Sequence, residues 1–556
     1  MAAPLYTTSS GRLFHAGLIL IPLVGLPARG KTHIARSLER YLRWLGVKTR
    51  VYSLGDYRRK VLGGANTVPD DYFTIDAKSE ETIKLRNKIK DGIEDQVWDF
   101  FERQGGQVVI YDANNGDKKS RKELLERFEA RGVHVIFLES MCDKDDIIEA
   151  NIRSVKLSSP DVSLFLSRSI CTSPDLVPPQ YMQWDPEKAV ADYWKRIKQQ
   201  EAQYQEVTPD EGPFIKIMNV GEKIVVNRIE GYLQTRCCFY LMNIHNRHRT
   251  IYFARASCSL LCLPRKNSTN LGFLLQSGQS LIEHSYKADS DLSPAGWEYA
   301  ERLRAAVIAR RKQVAEEKKA RGEEWKDRKL VIWTSARRRA HHTAWPFVHS
   351  GYKVVQKPQM SEINPGVWDG LSPEEAKAMY PDEWERFLSD PYAHRAPRAE
   401  SYHDLSVRLE PVIFELERHQ EDLLIIGHAS VIRCLLAYLV GLPPSEVPAV
   451  EIARGDLVEV VPASYGVLSR AFSFWSGEGR GDASGANLYE NFAEATVGKV
   501  NDMNNVLPRA AEDLREKAEA EEEEERAAAA REAEAGGEAA PEGGAKLGRS
   551  MSFLKI

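Results

Sequence analysis

The run Gly25-Leu26-Pro27-Ala28-Arg29-Gly30-Lys31-Thr32 has the form G-x-x-x-x-G-K-T, a spacing that cradles a polyphosphate. Its glycines let backbone N–H groups converge on phosphate oxygens, and the N-terminus of a following helix adds partial positive charge. In such a loop Lys31 reaches the β- and γ-phosphates and the Thr32 hydroxyl reaches Mg²⁺. A carboxylate is needed opposite. Gln107-Val108-Val109-Ile110-Tyr111-Asp112 supplies one, as an apolar strand ending in Asp, and strand ends are where ligands bind in open α/β sheets. Tyr57-Arg58-Arg59, Leu85-Arg86 and Asn151-Ile152-Arg153-Ser154-Val155-Lys156 offer cations for a phosphorylated acceptor, since arginine forks bind phosphate oxygens bidentately.

These residues need a scaffold. Leu18 to Val24 is an apolar run that predicts a buried strand before the loop, and Ile34, Leu38, Tyr41, Leu42 and Leu45 recur at helical spacing after it. Further strands are expected at 47–53, 107–111 and 133–138, with helices at 31–46, 79–103 and 117–131. Strands alternating with helices predict βαβ units and a parallel sheet. A second α/β stretch starts at Thr250-Ile251-Tyr252-Phe253, continues through strand 329–334, helix 401–418 and strand 423–426, and ends near Tyr465.

At 556 residues the chain has room for two or three domains, and 43% hydrophobic residues suffice for real cores. A net charge of −4 argues against a nucleic-acid binder. Seven cysteines without regular spacing suggest a reducing compartment. The apolar stretch Leu13 to Val24 contains His15 and Pro22 and is about half of what a membrane span needs. A cytoplasmic protein with no membrane partner is expected.

The ordered motifs GLPARGKT, LGDYRR, LRNK, a strand into Asp112-Ala113-Asn114-Asn115, LESMC and NIRSVKLSSPD resemble the kinase half of the 6-phosphofructo-2-kinase/fructose-2,6-bisphosphatase family. The second α/β stretch resembles its bisphosphatase half. The resemblance covers roughly residues 18 to 465. It implies a P-loop kinase domain with a mainly parallel sheet, followed by a phosphoglycerate-mutase-like (histidine phosphatase) α/β domain. It further implies an ATP site at Gly25–Thr32, Asn151 and Lys156, and fructose 6-phosphate contacts at Arg59, Arg86, Lys156 and Arg196. Asp112 matches the family's catalytic Asp and Cys142 its active-site-region Cys. Asn114 stands where the family usually has Thr, Ser120 where it has Arg, and Gln200 where a Tyr is expected; all three touch the sugar-phosphate side.

The bisphosphatase half of this family works through an R-H-G histidine that accepts the phosphoryl group. Here Arg255 is followed by Ala256, and a methyl group cannot attack phosphorus. Arg339 and Arg433 match phosphate clamps, Glu362 the acid and His428 the second histidine. Two further basic positions are filled by Phe387 and Pro391. The chain is therefore similar to kinase-only members with a degenerate bisphosphatase half. The expected activity is ATP-dependent phosphorylation of fructose 6-phosphate at its 2-position. The alternative is a pseudoenzyme that binds nucleotide or sugar phosphate as a regulator. ATP, Mg²⁺, fructose 6-phosphate and a second copy of the chain are the expected partners.

Val162–Gln180 and Ser257–Ser277 interrupt the family pattern, as translated introns or as lineage-specific loops. The domains expected are a tail at 1–11, the kinase domain at 12–245, the phosphatase-like domain at 246–465, and a low-complexity Ala/Glu-rich tail at 466–556.

Overall fold

A computed structural model describes residues 17–63, 68–72, 79–153, 186–245, 249–256, 291–320, 327–369, 371, 373–450, 452–463 and 466–475. Lys156, both interrupting segments and the acidic tail lie outside the described residues.

The first half is built on β1 (Leu18–Val24), α1 (Lys31–Trp44), β2 (Thr49–Ser53), α2 (Leu54–Leu62), α3 (Glu80–Glu102), β3 (Val108–Asp112), α4 (Lys118–Glu129), β4 (Val133–Val135), β5 (Phe137–Met141), α5 (Asp145–Ile152), α6 (Pro186–Glu201), β6 (Phe214–Met218), β7 (Lys223–Asn227) and α7 (Tyr232–Leu241). The sheet runs β2-β3-β1-β5-β6-β7, with β4 also on β1. Every pairing is parallel except β6 with β7. β1 and β3 are buried almost throughout, as strands covered on both faces must be.

The strand expected at 133–138 is two strands. Ile136 donates its N–H to Leu20 O, so Pro22, two residues on, turns the same edge toward β5 and has no N–H to give. The ladder breaks there and resumes at Leu23 opposite Leu138.

The second half contains β8 (Ile251–Arg255), α8 (Pro294–Ala320), β9 (Leu330–Thr334), α9 (Arg338–Thr343), β10 (Lys353–Gln356), α10 (Tyr402–Arg418), β11 (Asp422–Gly427), α11 (Ala429–Val440), β12 (Asp456–Ala463) and β13 (Gly466–Ser473). Its sheet is β10-β9-β11-β8-β12-β13, parallel from β10 to β8 and antiparallel beyond. β13 pairs with β12 along its whole length, so the sheet extends past the end expected near Tyr465, and the low-complexity tail does not begin at 466. α10 starts on a capping box between Ser401 and Asp404.

The far end of α1 packs on the second half. Tyr41 donates to Glu410 at 2.7 Å and stacks on Tyr240 at 4.3 Å, while Tyr240 and Tyr438 hydroxyls lie 2.9 Å apart. None of the described helices is long and apolar enough to cross a membrane.

Candidate functional site

The phosphate loop leaves β1 at Gly25, where a Cβ would collide with the Ser140 carbonyl, and enters α1 through Gly30 at φ 81°. Lys31 is folded onto the loop, donating to Gly25 O at 2.8 Å and Leu26 O at 2.6 Å. Ser140 Oγ donates to Arg29 O, and Asn151 donates to Ala28 O at 3.0 Å, so β5 and α5 brace the outer turn. Thr32 Oγ1 donates to Asp112 Oδ2 at 2.8 Å. A hydroxyl beside a carboxylate is a hard oxygen pair that suits Mg²⁺, and the loop in front of it is open to a polyphosphate.

A cleft of about 660 Å³ opens from this loop. Lys31, Arg58, Arg59, Arg86, Lys90 and Arg196 line it, and Asp112 stands among them. α2 presents Arg59 against Asp56, α3 presents Arg86 over Tyr72, and α6 presents Arg196 beside Asp192. The structure thus gathers Gly25–Thr32, Asp112, Asn151, Arg59, Arg86 and Arg196 around one end of the first sheet. Lys90 and Tyr193 also face the cleft without having been anticipated. Their signal was spacing: Lys90 is four residues after Arg86, and Tyr193 three before Arg196, each on the same helix face.

Cys142 is placed otherwise. It packs with Ile148, Ile152, Val190, Tyr193 and Ile197 under α5 and α6, 9% exposed, and is not among the cleft-lining residues. It follows β5 into a small apolar core, so a direct role at the reacting atoms does not fit its position.

In the second half, the ends of β8, β9 and β11 meet. Arg255 is buried and donates to Ile452 O. Burial, then Arg454 and Arg433, push its guanidinium down to about 9. Such crowding of like charge is what a bound phosphate relieves. Arg433 donates to Val450 O at 2.7 Å and to the Tyr402 hydroxyl at 3.0 Å. Burial raises the Glu362 carboxyl, opposed by Arg339 and by a hydrogen bond from Ser430. Ala256 is 7% exposed, packs in the core and donates its N–H to Gly427 O at 2.8 Å. Phe387 belongs to an apolar cluster with Trp368 and Trp384.

His428 lies 2.8 Å from Ser335 Oγ through Nε2 and 3.3 Å from Glu362 through Nδ1, a serine–histidine–acid alignment. The hydrogen-bond roles oppose that chemistry. Arg339 can only donate, and its Nη2 is 3.0 Å from Nδ1, so Nδ1 accepts and Nε2 carries the proton toward Ser335. Burial, then Arg339 and Arg337, hold the imidazole neutral, well below its usual value. A nitrogen already bearing its proton cannot take one from Ser335.

A family profile described as 6-phosphofructo-2-kinase matches residues 6–248, and one described as histidine phosphatase superfamily (branch 1) matches residues 278–472. The chain is 34% identical over 450 residues to 6-phosphofructo-2-kinase/fructose-2,6-bisphosphatase of Aquarana catesbeiana, covering 80% of this chain and 83% of that one. It is 32% identical over 453 residues to fructose-2,6-bisphosphatase of Saccharomyces cerevisiae, covering 81% and 87%. To human 6-phosphofructo-2-kinase/fructose-2,6-bisphosphatase 3 it is 34% identical over 451 residues, covering 80% and 75%. With these matches, the chain belongs to the 6-phosphofructo-2-kinase/fructose-2,6-bisphosphatase family, enzymes of fructose 2,6-bisphosphate metabolism.

Proposed function

We propose that this chain transfers the γ-phosphoryl group of ATP to the 2-hydroxyl of fructose 6-phosphate, and that its second domain does not hydrolyse the product. The observation that carries the kinase reading is the Thr32–Asp112 contact of 2.8 Å at the mouth of the phosphate loop. Phosphoryl transfer asks a protein for alignment and for charge to offset what develops on the transferring oxygens. Lys31 exchanges two loop carbonyls for the β- and γ-phosphates. Arg59, Arg86 and Arg196 hold the acceptor's phosphate across the cleft. Thr32 and Asp112 would hold Mg²⁺, which when bound would offset the negative charge of the phosphates.

Loss of the bisphosphatase is supported by Ala256 and by the proton on His428 Nε2, which leave neither the family's nucleophile nor a base for Ser335. Binding without turnover is the second reading. It is favoured by Ser120, whose hydroxyl donates to Asp117 at 2.7 Å where the family has an arginine. The test is purified protein with ATP, Mg²⁺ and fructose 6-phosphate. Formation of fructose 2,6-bisphosphate supports the kinase. Binding of fructose 6-phosphate without product favours the second reading.

A further inference from the structure

The ladder between β1 and β3 ends with Pro22 opposite Tyr111, yet the two segments stay joined beyond it. Asn115 Nδ2 donates to Leu23 O at 2.8 Å, and Gly25 donates its N–H to Asn114 O at 3.0 Å. The Asn114 side chain takes no part in this joint, since its Nδ2 donates to Gln200 Oε1 at 2.8 Å. One side of the joint leads directly into the phosphate loop, and the other follows directly from Asp112. Asn115 has a φ of 43°, a left-handed conformation that asparagine adopts more readily than most side chains.

Asn115 is held from its far side as well. Arg121 Nη1 donates to Asn115 O at 3.1 Å, and the same guanidinium reaches Gln205 O at 2.9 Å, Glu206 O at 3.3 Å and the Glu211 carboxylate at 2.7 and 3.0 Å. Arg121 is buried, so these partners fix where it stands. Gly116 accepts from Gln205 N–H at 2.8 Å, and a Cβ on it would press on the Tyr204 ring at 3.2 Å. The loop after β3 is thus clamped between the segment before β6 and the end of β1. What the clamp fixes is the relation of Asp112 to the phosphate loop, on which the Thr32–Asp112 contact depends.

We propose, on the kinase reading above, that Asn115 is a positioning residue for phosphoryl transfer, holding the Asp112 carboxylate in place against the phosphate loop through its bond to the end of β1. The role needs a donor, because a carbonyl such as Leu23 O only accepts. Aspartate has the same shape but would set oxygen against oxygen. A misplacement of about 1 Å by a residue away from the chemistry can cost on the order of 100-fold in rate, so a group that touches no substrate can still set turnover.

The test compares Asn115→Gly, which keeps the left-handed backbone and removes the amide, with Asn115→Asp, which keeps the shape and removes the donor. Both should lower kcat on the order of tenfold, with the KM for ATP and for fructose 6-phosphate within about fivefold. In an Asp112→Asn background the same changes should cost less than about twofold, because the carboxylate they position is gone. Calorimetry reads the joint without turnover. Metal-free ATP should bind Asn115→Gly within about twofold of the unmodified protein, and the gain in affinity that Mg²⁺ adds should shrink about threefold. Equal kcat losses in both backgrounds, losses in KM alone, full turnover by Asn115→Asp, or an undiminished Mg²⁺ gain would overturn the proposal. If the unmodified protein binds ATP with Mg²⁺ and makes no product, the kinase reading falls alone, because the Mg²⁺ gain, measured with and without Asp112→Asn, still scores Asn115. If it binds no nucleotide, both fall.

Discussion

Thr32 and Asp112 are 80 residues apart in the chain, yet the Thr32 hydroxyl donates to Asp112 Oδ2 at 2.8 Å. They meet because β1 and β3 are parallel neighbours, with Ile21 opposite Ile110, so the segments after both strands open at one sheet edge. Asp112→Asn keeps the shape and removes the charge. It should lower kcat on the order of 100-fold while changing the KM for ATP much less, as expected of a group that acts mainly as the transition state forms. Steady-state kinetics decide this, and a change below about threefold would make Asp112 a structural residue.

Lys31 is buried and bonded to two carbonyls of its own loop. Lys31→Ala should reduce turnover on the order of 100-fold or more and leave a cooperative thermal transition, because α1 still packs through Ile34, Leu38 and Leu42. Near-normal turnover would remove the phosphate-loop assignment.

Arg121 and Glu211 form a buried bidentate pair that ties the Asn115 carbonyl to the segment before β6. Glu211→Ala strands the guanidinium in the interior, and about 3–5 kcal/mol of stability should be lost. Denaturant unfolding measures it. A loss within experimental error would mean that water reaches Arg121 when the carboxylate is gone.

His33 follows Thr32 and is surrounded by Arg40, Glu417, Arg249 and His245. Burial, then Arg40, hold its imidazole down at about 4 against an ordinary 6.5. The folded chain thus binds fewer protons here than the unfolded chain between those values. Stability from this group is fully present above pH 6.5 and is lost as pH falls toward 4. Melting temperature should fall across that window, and the fall should be shallower in His33→Gln. Parallel profiles for the two proteins would show that the ring titrates as in water.

The unmodified protein should release no phosphate from the 2-position of fructose 2,6-bisphosphate and trap no phosphohistidine. Ala256→His should restore little and should lower the melting temperature, since the site is enclosed by core residues including Tyr299 and Ile426. Release above that of a Glu362→Ala, His428→Ala double variant would show a nucleophile other than the family's histidine.

Local chemistry was enough to identify the phosphate loop, its strand and helix, and Asp112 as a strand-end carboxylate, because each depends on residues within one turn or strand, whereas the reading of Ala256 came from the family resemblance. Most element boundaries followed from apolar spacing for the same reason. What the sequence could not contain is partnership across the chain. β13 exists because β12 offers it an edge, and Gly466–Ser473 alone has too weak an alternation to declare a strand. β4 and β5 separate because Pro22, on another strand, lacks the hydrogen that would join them. Cys142 matches the family's active-site-region Cys, yet it packs in an apolar cluster, since α5 and α6 close over it. The proton on His428 is set by Arg339, 89 residues away, and the bond between Asn114 and Gln200 spans 86. Hydrogen-bond roles and burial are properties of neighbours in space, and only the tertiary structure decides who those neighbours are.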